Sequence, residues 1–435
     1  MTVDSKRYHE RRHHLSDLMR QGIAIIPTAP ERIRNRDSHY SYRFDSYFYY
    51  LTGFAEPESV VVLVAGDKPK SILFCRDKDM EREIWDGFRY GPEGAREAFG
   101  FDEAYSITML DELAPKLLAD QPALFYGIGV DSHWDERIVT WLNRVREQAR
   151  SGIAAPSEIR DVRVLMDEMR LIKRPEELHL MRRAADISAG AHIRAMQATA
   201  PGRHEYEIEA DIIHEFRRHG AQSPAYTSIV AGGANACVLH YIDNNAPLKD
   251  GDLLLIDAGC EMGGYAADIT RTFPVNGKFS AAQKDLYEMV LASQAAAIEV
   301  AVSGHTWDEP HQAAVRVLAQ GMIDFGLCKG SLDAVLETGD YKRFYMHRTG
   351  HWLGLDVHDA GEYKQAGQWR ELQPGMTLTV EPGCYVRPAD DVPVEFWNIG
   401  IRIEDDVLVT VDGNEVITAA VPSSVQEIEA IMRNA

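Results

Sequence analysis

Apolar positions along the chain follow two rhythms. Over residues 5–20 they recur at helical spacing until Gly22, and Ile23-Ala24-Ile25-Ile26-Pro27 then reads as a strand. Ser59-Val60-Val61-Val62-Leu63-Val64 and Ser71-Ile72-Leu73-Phe74 are unbroken apolar runs of strand length, as buried strands require. The segment Tyr40–Tyr50 concentrates Tyr40, Tyr42, Phe44, Tyr47, Phe48, Tyr49 and Tyr50, which reads as a packed wall or a subunit contact rather than a cofactor pocket. Boundary signals gather at 150–175: Gly152 and Pro156 precede a charged segment ending Lys173-Arg174-Pro175-Glu176-Glu177. Proline in a first helical turn followed by two acids predicts a helix start. Leu178, Met181, Ala185, Ser188, Ala191 and Ala195 line one face of that helix. A second helix, Tyr206 to about Arg218, buries Ile208, Ile212 and Phe216 and stops at Gly220. At the far end Ser424-Val425-Gln426-Glu427 is a capping box opening a last helix, with Val425, Ile428 and Ile431 inside.

Within the second half a pattern repeats. Gly251-Asp252-Leu253-Leu254-Leu255-Ile256-Asp257-Ala258-Gly259 and Gly375-Met376-Thr377-Leu378-Thr379-Val380-Glu381-Pro382-Gly383 share one layout: Gly, an apolar strand, a carboxylate, any residue, Gly. Each is followed by a second strand with a central acid, Ala267-Asp268-Ile269-Thr270 and Arg402-Ile403-Glu404-Asp405, which predicts an internal duplication. A carboxylate at the end of an apolar strand costs several kcal/mol unless it is compensated. An arginine such as Arg271 or Arg402 would neutralise any one of them. For Asp257, Asp268, Glu381 and Glu404 together, a shared polyvalent cation is the simpler compensation.

Composition narrows the field further. With 435 residues, two domains are expected, and 45% hydrophobic with 26% charged residues is ordinary for a soluble globular protein. The net charge of −21 argues against nucleic acid, which needs a basic stripe. By itself that charge reads as solubility. Cys75, Cys237, Cys260, Cys328 and Cys384 are scattered and contain no CxxC pair, which excludes a disulfide scaffold or thiolate zinc site and predicts a reducing cytoplasm. Met1–Arg7 shows no apolar leader core, and no apolar run is long enough to span a bilayer.

The remaining chemistry lies in His347-Arg348-Thr349-Gly350-His351-Trp352-Leu353-Gly354-Leu355-Asp356-Val357-His358-Asp359, three histidines among glycines that suggest a polar cleft with close backbone approach; His13-His14, in a charged helix, reads as solvated. This stretch resembles the proline-peptidase signature throughout its length. The order Asp257, Asp268, His351, Glu381, Glu404 is similar to that of the five metal ligands in the pita-bread metallopeptidases. Tyr50-Leu51-Thr52-Gly53-Phe54-Ala55-Glu56-Pro57-Glu58 and Glu83-Ile84-Trp85 resemble that family's bacterial Xaa-Pro aminopeptidases.

The resemblance implies an α+β fold: a mixed-sheet accessory and oligomerisation domain over residues 1–172, then a pita-bread catalytic domain over 173–435 with an internal pseudo-twofold repeat. It implies two divalent ions per chain. Four carboxylates and one imidazole suit Mn(II) best, with Co(II), Fe(II) or Zn(II) as other occupants. Asp268 and Glu404 would bridge the ions, Asp257 bind one, and His351 with Glu381 complete the other. Glu381 would also handle the proton, His358 and His240 stabilise the intermediate and hold substrate, and His347 and Arg402 support them, Arg402 by orienting Glu404 or its neighbours. His240, His347 and Tyr385 are the candidates for a proline pocket. The implied activity is release of the first residue from peptides with proline second, by a dimer or tetramer, without nucleic acid or membrane. A prolidase would use the same ligands on dipeptides, but the N-terminal half resembles the aminopeptidases. Metal-free relatives of the creatinase kind and chromatin binding modules lose ligands that this chain keeps, and methionine aminopeptidases are usually single-domain.

Overall fold

The computed structural model describes residues 5–433, so Met1–Asp4 of the segment read as leaderless lie outside the described residues, as do Asn434 and Ala435. The chain divides into two compact units after Met169.

In the first unit the apolar runs form the middle of a six-stranded mixed sheet. Gly22–Pro27 runs antiparallel to Val60–Ala65, which is antiparallel to Lys70–Cys75. Glu103–Ser106 continues that side in parallel, and Ala123–Phe125 and Glu158–Arg160 extend the other. Burial on both faces explains the unbroken runs. Ile23, Ile25, Val60, Val62, Ile72 and Phe74 cluster with Leu110, Leu118, Trp141 and Leu142 of the helices Leu110–Leu118 and Ser132–Arg146. Ala24, Val61 and Leu63, on the reverse face, are equally buried, and the helix Ser5–Met19 lies against the strand Val60–Ala65. The aromatic segment is a packed wall: Phe48 and Tyr50 are buried in the helix Ser46–Thr52, Phe44 stacks on Tyr49 at 3.7 Å, and the Tyr47 hydroxyl donates to Asp167 at 2.6 Å.

The second unit uses one plan twice. Helices Pro175–Ala198 and Glu205–Arg218 precede the strands Ile229–Gly232, Leu253–Asp257 and Thr270–Pro274. Helices Ala281–Val300 and Asp308–Asp324 precede the strands Thr377–Val380, Gly383–Val386, Ile399–Arg402 and Asp405–Val409. Leu253–Asp257 pairs antiparallel with Thr270–Pro274, and Thr377–Val380 with Asp405–Val409. The two halves meet at a bridge between Thr270 and Glu404, whose amide donates to the Thr270 carbonyl at 3.1 Å. This is the pita-bread arrangement, and it follows the mixed-sheet N-terminal unit in the sequence. Helix starts follow their caps: the Arg174 amide donates to Glu177 at 2.9 Å, and the Ser424 hydroxyl to Glu427 at 2.7 Å. Met181, Ala185, Ser188, Ala191 and Ala195 are buried as their spacing predicts, while Leu178 is only half-buried. One expectation is corrected. Asp268 and Glu404 are not inside strands: Asp268 precedes Thr270–Pro274, and Glu404 occupies the gap between Ile399–Arg402 and Asp405–Val409. At a strand end a carboxylate can turn to a cavity without interrupting the ladder.

Behind the histidine-rich loop lies a buried ionic knot. Asp359 accepts from Arg170 Nη2 at 2.6 Å and from Lys173 Nζ at 2.8 Å, and all three side chains are about 1% exposed. Arg170 also reaches Asp356 at 2.7 Å. Burial opposes ionisation of Asp359, but Lys173 and Arg170 outweigh it and hold the carboxyl below its ordinary range. We predict that Asp359→Asn costs about 3–5 kcal/mol, because it takes the counter-charge from the buried Lys173 and one carboxylate partner from Arg170, which keeps Asp356. A depressed folded pKa stabilises fully above the unfolded value near pH ~4 and is lost as pH falls through the folded value. Urea unfolding should therefore show a gap between wild type and variant at neutral pH that narrows in acid; a gap that does not narrow would refute the assignment.

Candidate metal centre

The five sequence-predicted ligands converge. Asp257, Asp268, His351, Glu381 and Glu404 all line one cavity of about 660 Å³, together with His240, His347, His358 and Arg402. Asp257 closes the strand Leu253–Asp257, and Glu381 follows directly on Thr377–Val380. The histidine loop is laid alongside the second of these strands: Thr379 N donates to the His351 carbonyl at 3.0 Å, and Glu381 N to the Thr349 carbonyl at 2.8 Å. Two glycines make these approaches possible. A Cβ at Gly350 would strike the Thr379 carbonyl oxygen, and one at Gly259 would strike that of Ala267, where the chain segments bearing Asp257 and Asp268 come together.

His351 presents the right nitrogen. Its Nδ1–H donates to the Trp352 carbonyl at 2.9 Å, which leaves Nε2 facing Asp268 Oδ2 at 3.4 Å and Glu381 Oε1 at 3.6 Å. Asp268, His351 and Glu404 each offer a ligand atom within 4.8 Å of the others. Asp257 is tied in by two donors: Arg402 Nη2 at 2.7 Å on one oxygen, and on the other the Tyr226 hydroxyl at 2.6 Å. That hydroxyl also lies 2.5 Å from Asp268 Oδ1. Glu404 accepts from the Thr270 hydroxyl at 2.6 Å.

Electrostatics marks the cluster as a cation site. Burial first, then the neighbouring carboxylates, pushes Asp268 and Glu404 up and takes Glu381 to about 7. Burial alone would lower His351, but its hydrogen bond with Asp268 and the nearby Glu381 raise it to about 9. Carboxylates so placed hold protons unless cations replace them. The donor set, four carboxylates and one free imidazole nitrogen, fits divalent ions with a preference for oxygen.

The outer residues divide. His240 and His358 are exposed on the cavity wall, and the His358 ring lies 4.3 Å from that of His351. His347 Nε2 accepts from the Tyr385 hydroxyl at 2.8 Å, and its Nδ1 donates to the Arg348 carbonyl. Burial, then Arg402, lowers His347 to about 4. Tyr385 corrects the sequence expectation: it is 1% exposed, with its hydroxyl between His347 and Arg402 Nη1 at 3.1 Å, so it stands behind the pocket. Arg402 holds Asp257 directly and reaches Glu404 only through Thr270, whose hydroxyl accepts from its Nε at 3.1 Å. Arg271, named as a possible partner for these acids, is committed to Asp405 at 2.8 Å. Sequence reasoning missed Tyr226 and the role of Thr270. Thr270 was legible as the residue two beyond Asp268 on the same face; Tyr226 lies in a loop with no local signal.

Residues 179–411 match metallopeptidase family M24, and residues 8–126 match the aminopeptidase P N-terminal domain. The chain belongs to metallopeptidase family M24, and it is a metal-dependent peptidase. It is 47% identical to the Xaa-Pro aminopeptidase of Haemophilus influenzae, across 99% of this chain and 98% of the relative. It is 44% identical to that of Escherichia coli, with the same coverage of 99% and 98%. Its fold superposes on an aminopeptidase from Pseudomonas aeruginosa with a TM-score of 0.98 at 49% identity, covering 100% of this chain and 99% of the other. A zinc-substituted Escherichia coli aminopeptidase P in complex with product gives 0.97 at 43% identity, with 100% and 99% covered.

Two outcomes separate ligands from outer residues. Asp268→Ala or Glu404→Ala should lose both bound metal and activity, whereas His358→Ala should keep its metal and lose about 10²–10³ in kcat. Metal analysis alongside steady-state kinetics checks this, and an empty site in His358→Ala would reverse the roles. Because Asp268, Glu381 and Glu404 are raised, metal binding should release protons and strengthen as pH rises through about 7. Calorimetric titration in buffers of different ionisation enthalpy measures that release; none would count against the cluster.

Proposed function

We propose that this chain removes the first residue from peptides whose second residue is proline, using two divalent cations, Mn(II) by preference. The observation that carries this reading is the convergence of Asp257, Asp268, His351, Glu381 and Glu404 on one cavity, with His351 Nε2 turned toward the acids. Asp268 and Glu404 would be shared between the two ions, Asp257 would hold one, and Glu381 with His351 would hold the other. When bound, the ions supply Lewis acidity toward the scissile carbonyl.

The protein's own groups do the rest. Glu381, at the end of its strand on the cavity wall, is placed to take a proton and return it to the departing proline nitrogen. His358 and His240 face the cavity where charge develops on the carbonyl oxygen. His347, lowered to about 4, stays uncharged at neutral pH and offers a ring face to the pyrrolidine, backed by Tyr385. A bond preceding proline has no N–H, so a peptidase that grips the scissile N–H loses a contact there, and one acting through the carbonyl does not.

Residues 1–172 serve as the accessory and oligomerisation domain of a dimer or tetramer, and 173–435 as the catalytic domain. All five cysteines are free and buried, which supports a cytoplasmic site of action, and among the described residues no helix is long and apolar enough to cross a membrane.

Chelation should abolish activity, and Mn(II) or Co(II) should restore it; thoroughly demetallated protein that still turns over would sink the reading. With Mn(II) saturating, tripeptides and longer peptides with proline second should be cleaved well, their alanine-second analogues much more slowly, and Xaa-Pro dipeptides poorly. Initial rates on the three substrate types decide, and faster dipeptide turnover would make the chain a prolidase.

A further inference from the structure

His240 projects from a stretch between Gly232 and Ala246 whose only regular element is the single turn Gly233–Cys237. Leu239, His240 and Ile242 from this stretch form one wall of the catalytic cavity. An irregular segment holds such side chains in place only if its backbone is anchored, because each loose residue carries conformational entropy.

The anchor is Glu205. It is fully buried at the first position of the helix Glu205–Arg218, where the helix N-terminus favours a carboxylate. Its Oε1 accepts from Gly232 N at 2.8 Å and Asn235 Nδ2 at 3.0 Å. Its Oε2 accepts from the Tyr241 hydroxyl at 2.7 Å and Ala246 N at 2.8 Å. The four donors come from both ends of the stretch, from its turn, and from the residue next to His240. Lesser ties complete the frame: the Asn244 side chain accepts from Val230 N at 2.9 Å and donates to the Ser228 carbonyl at 2.8 Å, and Arg387 donates to the Cys237 carbonyl at 2.7 Å. Only a carboxylate accepts on both oxygens; a carboxamide would present N–H groups to two of these donors.

We infer that Glu205 is a positioning residue for catalysis: through Tyr241 and the flanking amides it fixes His240 at the reacting carbonyl. The inference rests on the proposed role of His240. Glu205 touches none of the five metal-site residues in these bonds.

Double-mutant cycles test this on the full-length, Mn(II)-loaded enzyme with a proline-second tripeptide. Glu205→Gln should lower kcat/KM about 10- to 100-fold, the scale of a small misplacement of a reacting group. Tyr241→Phe, which removes one hydrogen bond and keeps the ring, should give a smaller loss and guards against a Glu205→Gln protein that fails to fold. Bound metal should be unchanged in Tyr241→Phe, while amide hydrogen exchange over residues 232–246 accelerates. In a His240→Ala background, either substitution should add little further loss. Losses that multiply fully in that background, or a Tyr241→Phe protein with unchanged kinetics and exchange, would overturn the inference. Full turnover by His240→Ala itself would overturn the role of His240, and the inference with it, and is separable because it appears in the single variant.

Discussion

Four carboxylates line one buried wall of the catalytic unit, and their mutual repulsion has to be met by positive charge or by protons. Two like charges about 4 Å apart at an effective dielectric of 20 repel by about 4 kcal/mol, so several such pairs rival the whole stability of an ordinary domain. The local compensations are visible. Arg402 grips Asp257, the Tyr226 hydroxyl lies between Asp257 and Asp268, Thr270 donates to Glu404, and His351 faces Asp268 and Glu381. One arginine and one imidazole do not balance four acids, and the remainder is a place for the bound metal that a metallopeptidase requires.

The same constraint shapes the surroundings. Arg402 links Asp257 to Tyr385, and Tyr385 to His347, so the residue that holds Asp257 also sets the tautomer of His347. The two exposed histidines follow a common plan. His358 is followed by Asp359, fixed by Arg170 and Lys173, and His240 is followed by Tyr241, fixed by Glu205. Each of these two rings, exposed on the cavity wall, is held through its neighbour in the chain.

Much of this could be read before any coordinates. Unbroken runs such as Val60–Val64 specified buried strands, Pro175 and Ser424 marked helix starts, and acids at the ends of apolar strands pointed to a shared cation because nothing nearby in sequence could neutralise all of them. The partners that sequence did not give are those joined only by folding. Tyr226 serves Asp257 and Asp268 from a loop, Glu205 reaches donors up to residue 246, and Arg170 meets Asp359 from far along the chain. Tyr385, a candidate for the proline pocket, instead lies buried with its hydroxyl against His347 Nε2. The acids Asp268 and Glu404 were read as interior to strands because their flanks are apolar; the ladders in fact end beside them.

The bridge between Thr270 and Glu404 also fixes when the site comes into being. On a ribosome adding roughly 5–20 residues per second, the segment bearing Asp257 and Asp268 leaves the tunnel on the order of ten seconds before Glu404 and Arg402. During that interval the first two acids have neither their guanidinium partner nor the opposing half of the cavity, so their place is in water rather than in a core. The complete cluster of acids and imidazole must wait for the last quarter of the chain, which brings His351, Glu381 and Glu404.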